Sequence, residues 1–418
     1  MTQDSGDICL CTGRRLFIVI CVLCSSLTAV AQPPLSRTPA ITNTAKWQPC
    51  GEGPWGPMEK LRVTLDVAES RFPQDQTNPQ TVRWFLPAGS PESLSQLLAG
   101  LGIKPDDRDA FLQQPIQFRG RNAMLLPTDE FILGLDAAVR AAFYGFLGKS
   151  PSNELQHQPY QFSGDDFETN LRSSRLSDQT RGVMRQLAYR SGDLILFADR
   201  DVLLRSIVNS SERHEAIRTL IRFPSYQVRL VLSPDAAVDT IAEYWSDGNS
   251  DHVLPMLQQL ADCSSQVSVA ELLSPFAKSR LNTYPQRNPS RPLSGPDCFW
   301  TAANFFNELP DDAYFNPDIV ASVIEHQYHP VETPRYGDLA LFVSSSPTGG
   351  NVPIHAATYI ADDLLFSKNG YHYWKPWVLN SKQELLAMYG IHTGVQLHYF
   401  RQHSTISTHS PSVDDLTP

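Results

Sequence analysis

The chain has 418 residues, of which 41% are apolar and 19% charged, and carries a formal net charge of -10. That length exceeds what one small core accommodates and implies two or three domains. The acidic balance excludes nucleic acid and anionic lipid surfaces as favoured partners, because both select a basic face.

Residues 1–31 have the pattern of a signal peptide. Arg14 and Arg15 precede the apolar run Leu16 to Leu23, and Ala29-Val30-Ala31 supplies the small residues a signal peptidase needs. The run is too short for a membrane span, so the membrane is a partner only if the leader stays uncleaved. An exported protein, periplasmic or extracellular, is expected. Cleavage removes Cys9, Cys11, Cys21 and Cys24 and leaves Cys50, Cys263 and Cys298. In an oxidising compartment a Cys50–Cys263 disulfide leaves Cys298 free; the alternative is three unpaired thiols.

Residues 32–46, rich in Pro, Ser and Thr, read as a flexible linker. Residues 47–281 read as a mainly helical domain. Strand patterns cover Lys60 to Val67 and Tyr226 to Leu232. Leu94, Leu97, Leu98 and Leu101 fall on one helix face, and Thr128 is placed to cap a long helix from Asp129 to Leu147, ended by Gly148. Helical patterns also cover Val202 to Val208, Ala236 to Trp245, Val253 to Ala261 and Val269 to Leu281, the last interrupted at Pro275. No catalytic constellation stands out in this domain. Residues 282–294 read as a linker because of their prolines, and 403–418 as a disordered tail.

The chemistry concentrates in 295–402. Cys298 opens an apolar helix pattern marked by Phe299, Ala302, Ala303 and Phe306, with Pro296 suited to the opening helical position. Free N–H groups and the helix dipole at such an end favour a thiolate, whereas Asp297 opposes it, so a histidine must supply most of the activation. His355 is expected to begin a strand, His355 to Ile360, between the strands Leu339 to Val343 and Leu364 to Lys368. A three-residue turn at Ala361-Asp362-Asp363 sets Asn369 opposite His355, close enough to orient the imidazole. A different register substitutes Lys368 or Gly370, and Ser367 and Lys368 are alternative third members.

This arrangement resembles the NlpC/P60 family of papain-like cysteine peptidases. The resemblance lies in Asp297-Cys298 at a helix start, Gly337-Asp338-Leu339 at a strand entry, and His355-Ala356-Ala357-Thr358-Tyr359-Ile360. Phe299-Trp300 and Ala361 depart from the family, which has small residues there, and the related CHAP amidases show a comparable order. The resemblance implies an α+β fold, with a papain-like domain whose N-terminal helix packs on a small antiparallel sheet. It also implies a cofactor-free amide hydrolase acting on peptidoglycan or another peptide, with Cys298 as nucleophile, His355 as base and Asn369 as orienting residue. A catalytically inactive envelope protein of the same fold that binds glycan or peptide is the alternative. His326 and His329 lack a third ligand at metal-binding spacing. Tyr371, Tyr373, Trp374 and Trp377 read as packing aromatics, with a substrate groove as the alternative.

Overall fold

The computed structural model describes residues 46–67, 77–246, 253–286, 295–345, 351–390 and 394–403. The expected signal peptide, nearly all of the linker that follows it and the C-terminal tail therefore lie outside the described residues. No helix among the described residues is long and apolar enough to cross a membrane.

The alternation near Lys60 becomes the strand Met58–Leu65, with Met58, Leu61, Val63 and Leu65 buried. It pairs antiparallel along its length with Phe223–Val231, from Met58 opposite Leu230 to Leu65 opposite Phe223. The intervening residues 84–221 form helices and two three-stranded sheets around their own aromatic core. There Trp84 packs against Phe143 and Tyr144 at centroid distances of 5.2 and 5.6 Å. The short strands of these sheets escape the sequence pattern, so the region is more mixed than the helical expectation.

The helix expected over Asp129 to Leu147 is two helices, Asp129–Gly134 and Ala137–Leu147. Thr128 caps the first, and the Asp136 carboxylate accepts the Ala138 N–H at 2.8 Å to start the second. Gly148 stays in the right-handed region; a Cβ there would come within 2.7 Å of the Gln156 carbonyl oxygen, so close approach explains the glycine. Pro275 opens the helix Pro275–Arg280, which accounts for the interruption seen in the pattern.

A second core crosses the expected domain boundary. Met58, Leu230, Ile241 and Trp245 share one buried cluster with Trp300, Tyr336, Phe366 and Leu379. Residues 282–286 are bound into the structure rather than forming a free linker. The Asn282 N–H donates to the Trp377 carbonyl at 2.8 Å, the Trp377 N–H donates to the Thr283 carbonyl at 3.0 Å, and Tyr284 is buried. Prolines and polar residues marked this stretch as a loop, but Tyr284 and backbone pairing anchor it; 287–294 lie outside the described residues.

The C-terminal sheet has six antiparallel strands in the order Tyr328–Val331, Gln396–Gln402, Leu339–Ser345, Asn351–Ala361, Leu364–Lys368, Trp377–Ser381. Its two faces follow from strand alternation. Leu339, Leu341 and Ala356 pack against Ala302 and Phe299 of the helix Cys298–Ala303. Ala340, Phe342, Ala357, Tyr359 and Leu365 pack against Leu385, Leu386 and Tyr389 of the helix Lys382–Tyr389 on the opposite face. The mixed α/β architecture with antiparallel sheets agrees with the expected α+β class.

Candidate active site

Asp297 is the N-cap of the cysteine helix, its carboxylate accepting the Trp300 N–H at 2.8 Å. Cys298 is therefore the first helical residue, two positions earlier in its helix than a helix opening at Pro296 implies. The Thr301 hydroxyl donates to the Asp297 carbonyl at 2.7 Å and accepts from the Trp377 indole at 3.0 Å, fastening this first turn to the edge strand Trp377–Ser381.

The sulfur is buried where the start of its helix packs on the sheet. Tyr359 exchanges hydrogen bonds with the Leu339 side of the sheet, its N–H donating to Asp338 and its carbonyl accepting from Gly337. By antiparallel alternation, Thr358 and Ala356 direct their backbone groups the other way, toward Leu364–Lys368. The ladder with that strand ends at Thr358 opposite Phe366. Beyond it the backbone amides of Ala356, Phe299 and Cys298 itself act on the Cys298 thiol and favour its charged form. Cys298 is buried, and burial first, then Asp297, push its thiol up to about 12 against those three amides.

His355 lies in the interior of the strand Asn351–Ala361 rather than at its start. Its side chain belongs to the face opposite the cysteine helix. It is fully buried, stacked on Tyr389 at 4.2 Å and 15°, with Phe342 at 5.4 Å. Among the described residues neither ring nitrogen has a hydrogen-bond partner, and burial alone lowers the imidazole to about 3. The fold thus brings the sulfur to the backbone of the residue next to His355 without joining sulfur to imidazole by a hydrogen bond. The resting pair is a neutral thiol and a neutral imidazole.

The turn after the histidine strand has two residues, Asp362 and Asp363, with Asp362 at a φ of 53°, instead of three. The register shifts between Tyr359 and Ala361, and the ladder ends at Thr358 opposite Phe366, short of His355 and Asn369. Asn369 does not orient the imidazole. Its Nδ2 donates to Asn380 Oδ1 at 2.8 Å and its Oδ1 accepts from Ser367 Oγ at 3.1 Å, within a buried polar cluster. The neighbouring side chains already satisfy the amide, so register alone does not give it to the histidine.

Lys368 is fully buried on the cysteine-helix face, in phase with Leu364 and Phe366. Its ammonium donates to the carbonyls of Gly370 at 2.6 Å and His372 at 3.0 Å. Burial lowers it to about 7, opposed by Asp297 and Cys298. Tyr389 escaped the sequence reading. Its spacing from Leu385 marks a buried face, but not the imidazole beneath it.

The remaining candidates have structural roles. Trp377 is buried, and His372 stacks on Trp374 at 4.2 Å, in a turn rather than along a strand. His326 Nδ1 lies 2.8 Å from the Ser322 carbonyl and His329 packs on His403; among the described residues no three His, Cys, Asp or Glu groups are placed to hold a metal. Cys50, Cys263 and Cys298 are all free, so the expected Cys50–Cys263 bridge is absent: Cys263 is exposed and Cys50 lies half-buried beside Lys60 and Asp362. Comparison of the chain with family models, with curated proteins and with solved structures finds no match.

Proposed function

We propose that the chain is an exported cysteine-dependent amide hydrolase of NlpC/P60-like, papain-like type, acting on peptidoglycan peptides. The observation that carries this reading is the cysteine as first residue of a capped helix, the end at which unpaired backbone N–H donors gather. Such donors stabilise charge on sulfur and on the oxyanion of a tetrahedral intermediate. Cys298 attacks the scissile carbonyl, its thiol proton passes to a base, and the same proton is returned to the leaving amine. His355 is the base that the resemblance assigns, and its ring must cross from the Tyr389 face to the sulfur's side of the sheet before it can serve. Asn369, through Ser367 and Asn380, fixes the strand end rather than the ring.

One observation favours the alternative, a non-catalytic envelope protein of this fold that binds glycan or peptide: the imidazole is sealed and unpaired in hydrogen bonding. Digestion of purified sacculi separates the readings. Cys298→Ala is expected to abolish release of soluble peptide while leaving the unfolding midpoint near that of the parent. Equal digestion by the two proteins overturns the hydrolase reading; sedimentation with sacculi without any digestion by the parent selects the binding protein.

A further inference from the structure

We infer that residues 370–377 are the positioning element of the nucleophile: they hold the start of the cysteine helix on both sides of the sulfur and tie it to the core around Trp84. The inference deepens the proposed function and rests on Cys298 being the nucleophile.

The helix Cys298–Ala303 has six residues, too few to fix its own first turn through internal hydrogen bonds. Two anchors do so, one three residues before Cys298 and one three residues after it. Before it, the Gly295 N–H donates to the Tyr371 carbonyl at 2.8 Å. A Cβ at Gly295 would stand 3.1 Å from that oxygen and from the Tyr373 ring, so glycine lets the chain lie this close. After it, the Thr301 hydroxyl accepts the Trp377 indole N–H at 3.0 Å while donating to the Asp297 carbonyl. Tyr371 and Trp377 belong to one connection, the one that joins the strand Leu364–Lys368 to the strand Trp377–Ser381.

That connection is itself held from two sides. Within the sheet, Lys368 binds the carbonyls of Gly370 and His372 and leaves the Tyr371 carbonyl between them to Gly295. From the N-terminal part of the chain, Gln158 Oε1 lies 3.1 Å from His372 Nε2, and Trp374 packs against the core that holds Trp84. The Phe223 ring faces the Lys375 ammonium at 4.7 Å. A nucleophile must be held within about 0.5 Å of its productive geometry. The N-terminal part of the chain therefore acts on the reaction through this connection.

The test begins with hydrogen exchange of the Gly295 amide in the full chain, which needs no substrate. Trp374→Ala is expected to speed it about tenfold, while the Tyr359 amide, bonded to Asp338 in the same sheet, keeps its rate. Equal Gly295 rates in variant and parent, or equal acceleration at both amides, overturn the proposal. Should Trp374→Ala fail to fold, Gln158→Ala, a change at an exposed residue, is read in the same way. The second arm compares Thr301→Val, which keeps the side-chain shape, with Thr301→Ser, which keeps the hydroxyl. For release of peptide from soluble muropeptides, kcat is expected to fall about tenfold with KM unchanged in the valine variant and to return in the serine variant. An unaltered kcat in Thr301→Val, or no rescue by serine, overturns the positioning role. Retained digestion by Cys298→Ala refutes the nucleophile, whereas unmoved Gly295 exchange beside lost digestion in Cys298→Ala refutes the positioning element alone.

Discussion

His355→Phe is expected to make the protein markedly less acid-sensitive. The buried imidazole is lowered from 6.5 to about 3, so between those values the unfolded chain binds a proton that the folded one refuses. For this group the folded state is therefore at no disadvantage above pH 6.5, and stability is lost progressively as pH falls toward 3. By pH 4 the difference amounts to about 3 kcal/mol. Phenylalanine keeps an aromatic ring on Tyr389 and leaves no nitrogens to titrate. Urea unfolding at pH 7 and pH 4 measures it: the parent should lose about 3 kcal/mol more than the variant over that interval. Equal losses mean that the ring is solvated or hydrogen-bonded in solution.

Arg140→Met is expected to destabilise the chain by about 3–5 kcal/mol, because it leaves a buried carboxylate without its counter-charge. Arg140 is fully buried, its guanidinium donating to the Ile132 and Gln186 carbonyls, with Nε 3.3 Å from Asp199 Oδ2. Tyr144 donates its hydroxyl to the other Asp199 oxygen at 2.7 Å. Burial raises Asp199 from 3.8 to about 7 even with these partners. The folded state therefore binds more protons than the unfolded one between 3.8 and 7, and this group's contribution falls as pH climbs through that window. Its slope is opposite to that of His355, so in the parent the two partly cancel between pH 4 and 6.5. Without the guanidinium the carboxyl stays protonated to higher pH, and the variant should continue to lose stability above pH 7. Adding Asp199→Asn to Arg140→Met should remove that extra loss. Thermal melts of both variants from pH 5 to 9 check it, and a pH-independent deficit in Arg140→Met contradicts the argument.

Some parts of this fold are written locally and others are not. The helices near Leu94 and Val253 follow from periodicity, because one face is buried and the other is not, whereas the strand Leu364–Lys368 is buried on both faces and reads as a short apolar run. Asp297-Cys298 is legible as a helix start because a capping carboxylate needs only the next three residues. The domain boundary is not legible, since Asn282 and Thr283 meet Trp377 through the fold and not through sequence proximity. Nor is the direction of the His355 side chain. The strand begins at Asn351, and a bulge between Phe342 and Val343 shifts the partner register beside His355. Pattern and spacing bring the cysteine helix onto the strand that carries His355; which face the ring takes depends on alternation within a strand longer than the sequence suggests. Lys368 entered as one alternative third residue, but its burial beside Asp297 appears only once strand and helix are docked.

Covalent trapping with a peptide carrying an electrophilic carbonyl, at pH 6.5 on the full chain, most directly tests whether this sulfur is a nucleophile. Cys298, Cys50 and Cys263 compete for the reagent, and Cys263 is the exposed one. An adduct on Cys298 ahead of Cys263, lost in His355→Phe, is the expected result. Modification of Cys263 with Cys298 untouched would contradict it.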